Sequence, residues 1–220
     1  MSTIDGTIDG RIDAAMARGW VAAFDADLLA HIDRLDALDT ALGNGRLADH
    51  MQFALTKSRA FLREPDTHSF RGTFIALASG FLETSSMSGA MLGMFFHQFA
   101  KSARGAEPVT ASALGGASLA AAALIGRRGG STPGDKTLLD ALVPAGTAIM
   151  HAGHAGTETR AALERAATAA EDGARATIAM PSRQGRAARM GIAGIGTADP
   201  GAVTVALFYA AGARTLAERE

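Results

Sequence analysis

Ile12, Met16, Trp20 and Phe24 recur every fourth residue, and Leu28, Ile32 and Leu35 follow at close to helical spacing. Apolar residues keep this rhythm through the rest of the chain, and no stretch alternates as a strand would. Helices are expected over 12–24 and 28–35, then near 48–62, 69–84, 88–102, 110–128, 137–152, 157–179 and 200–217. Breaks fall at Pro65, Gly105 with Pro108, Gly129–Gly130 with Pro133, and Gly153 with Gly156. Asp199-Pro200 reads as a helix start, with the aspartate as N-cap and the proline at the first helical position. Hydrophobic residues make up 48% and aromatics only 5%, with alanine and glycine abundant. Such small side chains favour closely packed helices over a β-sandwich. The 220 residues are read as one all-α domain of eight or nine antiparallel helices, with residues 1–10 as a flexible lead.

Charge and cysteine usage exclude several classes. The net charge is −1, with acids and bases interspersed, which gives no footprint for nucleic acid or an anionic membrane. With no cysteine there is no disulfide, thiolate nucleophile or thiolate-bound metal. The first residues, MSTIDGTIDGRIDAA, carry acids where a secretory signal would be basic, so the start reads as cytoplasmic. Residues 109–126 lack charge over nearly a membrane-spanning length. Their Thr110, Ser112, Ser118 and Gly115–Gly116 argue for a buried helix of a folded domain.

Glycines, acids and bases cluster at helix boundaries, where backbone N–H groups can face an anion. Around Ser88, the run SSMSGAMLGMFF puts a hydroxyl and Gly89 at a helix start. In Gly134-Asp135-Lys136-Thr137, the acid or the threonine can cap a helix and Lys136 reads as either a ligand or a solvated charge. Gly191, Gly194 and Gly196 read as a flexible turn before Asp199. No strand precedes these glycines, so they form no dinucleotide fingerprint.

Together these segments resemble the nucleotide-binding L subunit of dihydroxyacetone kinase (the DhaL-like family). The family's SGPLxGTFF appears as Ser88-Gly89-Ala90-Met91-Leu92-Gly93-Met94-Phe95-Phe96. Its PGDKTMxDxxxP appears from Pro133 to Pro144, and its GRAxxxGxxxxGxxDPGA as Gly185-Arg186-Ala187, Gly191, Gly196 and Asp199-Pro200-Gly201-Ala202. The match runs from about Leu38 to Ala211. The resemblance implies a closed barrel of eight antiparallel helices, with ADP or ATP held across one end through two magnesium ions. It also implies phosphoryl transfer to a small ketose carried by a separate K-type subunit. By motif position Ser88, Gly89, Gly129, Leu138, Arg186, Asp199 and Gly201 would line the nucleotide, with Asn44 beside them and Arg186 on a phosphate.

One motif departs. The family's LDxxIGDGDHGxNM, whose three aspartates hold the metals, reads here Leu38-Asp39-Thr40-Ala41-Leu42-Gly43-Asn44-Gly45-Arg46-Leu47-Ala48-Asp49-His50-Met51. Asp39 is kept, Asn44 and Arg46 replace the other two, and the three positions sum to no net charge. Magnesium prefers hard anionic oxygens, so at most one ion is expected, on Asp39 with Asn44 or Asp49. Either Arg46 pairs with Asp39, or it grips a phosphate or carboxylate itself. Asp39, Arg46, His50 and Arg186 are the candidate catalytic groups. Two other readings stay open: an isomerase or lyase acting on an anionic sugar held by Arg46, Lys136 and Arg186, and a non-catalytic nucleotide sensor. A homodimer is also left open. His151 and His154 read as surface or packing residues, His97 as core-adjacent, and Met51 and Met94 as near the ligand.

Overall fold

A computed structural model describes residues 12–103 and 108–217; the expected flexible lead at 1–10 and the break at Gly105 lie outside them. The described residues form α1 (Ala14–Ala30), α2 (Ile32–Ala41), α3 (Leu47–Phe61), α4 (Phe70–Leu82), α5 (Met87–Ser102), α6 (Ala111–Gly129), α7 (Leu139–His154), α8 (Thr159–Ala176) and α9 (Pro200–Ala217). Each expected helix has its counterpart. The described residues hold no strand beyond a single antiparallel bridge between Ile12 and Val109.

Only His31 separates α1 from α2. Its N–H donates to Asp27 O and its carbonyl accepts from Leu35 N, so the hydrogen-bond ladder runs through the break. Counted as one bent rod, α1–α2 joins seven others to give eight. Each rod packs on the next, and α9 returns to α1 and α2, which closes the ring.

The few aromatics fill the centre. Trp20, Phe24, Phe70, Phe74, Phe81, Phe95, Phe96, Phe99, Phe208 and Tyr209 are fully buried. Phe208 stacks on Trp20 at 4.7 Å and meets Phe95, Phe96 and Phe99 edge-on or tilted at 5.1–5.3 Å. The ring wall is thinner. A Cβ on Gly115 would meet Met150, and one on Gly146 would lie 2.8 Å from Ser118 Cβ, so α6 and α7 approach almost backbone to backbone. In α6, Ser118 Oγ pairs with Tyr209 OH at 2.6 Å. No helix among the described residues is long and apolar enough to cross a membrane.

Pro144 lies inside α7. Having no N–H, it leaves the Asp140 carbonyl without its helical donor. Gly173 of α8 packs against that carbonyl, and a Cβ there would run into Asp140 O and stand 3.0 Å from Ala141 Cα. The contact fixes the first turn of α7, where the cleft begins.

Candidate functional site

Five segments meet at one end of the ring around a cleft of about 170 Å³. They are the α2–α3 turn, the start of α5, the turn before α7, the 184–187 loop and the start of α9. Among the lining residues are Asp39, Asn44, His50, Ser88, Leu138, Arg186, Asp199 and Gly201.

In the α2–α3 turn, Gly43 (φ +84°) and Gly45 (φ +68°) adopt left-handed conformations on either side of Asn44. The buried Asp39 carboxylate holds the turn. Oδ1 accepts from Asn44 Nδ2 at 3.0 Å and Oδ2 from the Arg46 backbone N–H at 3.1 Å. Asn44 Oδ1 is buried and has no partner. Asp39 therefore meets Arg46 through the backbone, while the arginine side chain is exposed and, like the exposed Asp49, lies outside the cleft lining. Met51 belongs to the core rather than the site.

At α5 the capping residue is Ser86, two positions before Ser88. Its Oγ accepts the Gly89 N–H at 3.0 Å. That donor is therefore committed, and Gly89 is buried because a Cβ would run into Thr84 Oγ1. Ser88 lines the cleft beside Ser86 and Met87. Several serines compete for the cap in this stretch, and only the chain's path selects one.

The turn before α7 is built from carboxylates on backbone donors. Asp135 accepts from Thr132 N at 2.8 Å and from Gln184 Nε2 at 3.3 Å. These bonds hold its carboxyl below the usual range, chiefly through the Thr132 N–H. Asp140 accepts from Gly134 N and from Thr137 N at 2.7 Å. Lys136 is not a solvated charge. It is 3% exposed, sits at φ +62°, and donates Nζ to the carbonyls of Thr177, Met180, Gly194 and Thr197. Burial pushes its ammonium below the ordinary value, opposed by Asp199.

Those four carbonyls bracket the 177–197 segment. The glycine-rich turn expected to be flexible is folded into 3-10 turns, Arg186–Arg189 and Gly191–Gly194. Arg183 N donates to Asp135 O at 3.2 Å and Gln184 Nε2 to Gly130 O at 2.9 Å. The two motif segments form one bonded unit that brings Gly185 and Arg186 to the cleft.

Asp199 caps α9 as expected, its Oδ2 accepting from Ala202 N at 2.7 Å. Desolvation, with a smaller push from Asp140, raises its carboxyl to about 7, against the Ala202 bond and Lys136. Between the ordinary carboxylate value of 3.8 and about 7, the folded chain keeps a proton that the unfolded chain has released. This group therefore lowers stability as pH rises through that window and has a constant effect above it. Asp199→Asn keeps a capping oxygen and should abolish this slope. In urea unfolding at about pH 5 and about pH 8, the wild type should lose about 2 kcal/mol more than the variant; equal losses would contradict the assignment.

Gly129 lies outside this cleft, in an adjoining groove of about 530 Å³ between α5 and α6 that includes Met94, His97, Lys101 and Arg128. Met87 and Met91 line both spaces. Ser86, Met87 and Gln184 also line the cleft and were not among the residues expected from sequence. Methionine and glutamine carry no spacing signal, and only the meeting of α5 with the 184–187 loop brings them in.

The fold and cleft define the helical-ring domain of the dihydroxyacetone kinase type. Over its whole length the chain superposes on 37% of the dihydroxyacetone kinase of C. freundii in complex with AMP-PNP and Mg2+, with TM-score 0.65 and 22% identity. The DAK2 domain model matches residues 42–214, and the chain belongs to that family. It is 34% identical over 135 residues to the ADP-binding subunit DhaL of the PEP-dependent dihydroxyacetone kinase of Escherichia coli (strain K12), covering 60% of this chain and 64% of that protein. It is 28% identical over 172 residues to the corresponding subunit of kinase 2 of Listeria innocua, covering 77% and 79%. The chain thus spans less than two thirds of the E. coli relative.

Proposed function

We propose that this chain binds ADP or ATP and is the nucleotide-carrying L-type component of a dihydroxyacetone or related ketose kinase. The observation that carries the reading is the junction of a cleft lined by Ser88, Arg186, Asp199 and Gly201 with a groove lined by Met87, Met91 and Met94. The phosphates lie in the cleft by Ser88, Arg186 and the α9 start, where a side chain at Gly201 would crowd Asp199 and Leu138. The base lies along Met87, Met91 and Gly129. A K-type subunit presents the ketose to the cleft mouth, where Met87 (68% exposed) and, on the loop that carries Arg186, Ile192 (79% exposed) offer apolar contact.

The chain's own chemistry is positioning and charge neutralisation, on which phosphoryl transfer chiefly depends. Arg186 holds a phosphate with its forked guanidinium. Asp199 caps α9 through the Ala202 N–H and so fixes Gly201 at the cleft wall. His50, in the cleft wall, is within the region where an acceptor hydroxyl arrives. The isomerase or lyase reading needs Arg46, Lys136 and Arg186 on one ligand. Lys136 is committed to four carbonyls and Arg46 stands outside the cleft, so the kinase reading is preferred.

Calorimetric titration with ADP tests this. Wild type should bind, and Arg186→Ala should weaken binding roughly 10- to 100-fold, as loss of a charge-assisted contact does. Addition of a K-type subunit, dihydroxyacetone and a phosphoryl donor should yield ketose phosphate. Unchanged affinity in the arginine variant would remove the phosphate role.

A further inference from the structure

The α2–α3 turn occupies the place where, by the resemblance, the family assembles two magnesium ions, and its donor set does not fit such a pair. Asp39 is the turn's one carboxylate, and each of its oxygens already accepts a hydrogen bond, from Asn44 Nδ2 and from Arg46 N. The other carboxylates near the cleft are similarly engaged. Asp140 takes the Gly134 and Thr137 N–H groups, and Asp199 takes that of Ala202. Among the described residues no three His, Cys, Asp or Glu side chains come together as a ligand set. What the turn adds is one amide oxygen, Asn44 Oδ1, buried and unpartnered. A neutral amide offers a divalent ion much less than the carboxylate it replaces.

The cation is supplied covalently instead. Arg186 lines the cleft, whereas Arg46 caps α3 with its side chain exposed outside the lining and replaces a carboxylate without adding a metal ligand. A fixed guanidinium and a divalent ion compete for the same phosphate oxygens and repel each other.

We infer that this cleft binds its phosphorylated ligand without a divalent cation, with the Arg186 guanidinium and backbone N–H donors taking the ions' place. Asn44 Oδ1 then accepts a hydrogen bond from a hydroxyl of the ligand. The inference rests on the nucleotide reading for the identity of the ligand, but not for the absence of a metal site.

Two measurements separate them. Calorimetric titration with ADP, once in EDTA and once in excess magnesium, should give dissociation constants within about threefold of each other, whereas the variant Asn44→Asp/Arg46→Asp should bind at least tenfold more tightly with magnesium than without. A tenfold magnesium gain in the wild type would overturn the inference. Titration of the protein with manganese alone, read by electron paramagnetic resonance, should leave the wild-type spectrum that of the free ion and produce a bound signal in the double variant. A stoichiometric bound signal in the wild type would likewise overturn it. If ADP binds under neither condition, the nucleotide reading fails and the manganese titration alone decides the metal question.

Discussion

Lys136→Met should lower the melting temperature by about 10 °C and abolish measurable nucleotide binding. The ammonium donates to carbonyls from both ends of the 177–197 segment, Thr177 and Met180 on one side and Gly194 and Thr197 on the other. Methionine fills the stem's volume but leaves the Met180 and Thr197 carbonyls unpaired, while Thr177 O and Gly194 O keep the N–H groups of Met180 and Thr197. At about 1–3 kcal/mol for an unsatisfied buried group, with part recovered by water entry, the net loss is about 4 kcal/mol. In a domain of this size that corresponds to about 10 °C. Lys136→Arg should not rescue, because a planar fork cannot reach acceptors arranged around one point. Binding fails for a local reason: Arg186 sits inside the released segment. Differential scanning calorimetry with ADP titration checks both effects; a melting temperature within about 2 °C of wild type would show that the clamp contributes little.

The second large effect concerns the core. Gly212→Ala adds one methyl group, yet its Cβ would lie 2.6 Å from Trp20 Cζ2. The indole cannot retreat. It stacks on Phe208, meets Phe74 and Phe99 edge-on, and donates Nε1–H to Phe208 O at 2.7 Å. Overpacking of this kind costs about 3 kcal/mol, and the α1–α9 contact that closes the ring should open. Equilibrium urea unfolding followed by far-ultraviolet circular dichroism reads the loss directly, including in variants that lack the single tryptophan. A midpoint equal to wild type would show that α9 can shift without cost. The paired variant Gly212→Ala/Trp20→Phe should recover part of the loss, since a smaller ring leaves room for the methyl group.

Much of the fold was legible because helices are local. Apolar residues three and four apart declare each rod, and proline, glycine and capping aspartate mark most of the ends, so every expected helix has its counterpart. The departures come from competition that proximity alone resolves. Ser85, Ser86 and Ser88 are equivalent candidates for the α5 cap until the approach of Thr84 selects Ser86. The break at His31 carries no proline or glycine, so its position left no mark: the spacing put it between Phe24 and Leu28, whereas α1 runs on to Ala30.

The site was legible in part, for the same reason. Spacing and motif located Asp39, Asn44, His50, Ser88, Leu138, Arg186, Asp199 and Gly201, and the structure brings them around one cleft. It sets Arg46 and Asp49 on exposed surface, Gly89 in a helix contact, and Gly129 in the adjoining groove. Residue types and their order determined that an all-α ring would form and that the acids of the α2–α3 turn would be depleted, because both follow from the chain read in sequence. Whether Lys136 is a ligand or a clamp was decided in three dimensions. Its partners lie 41 to 61 residues away, and the free energy of a buried ammonium depends on what surrounds it.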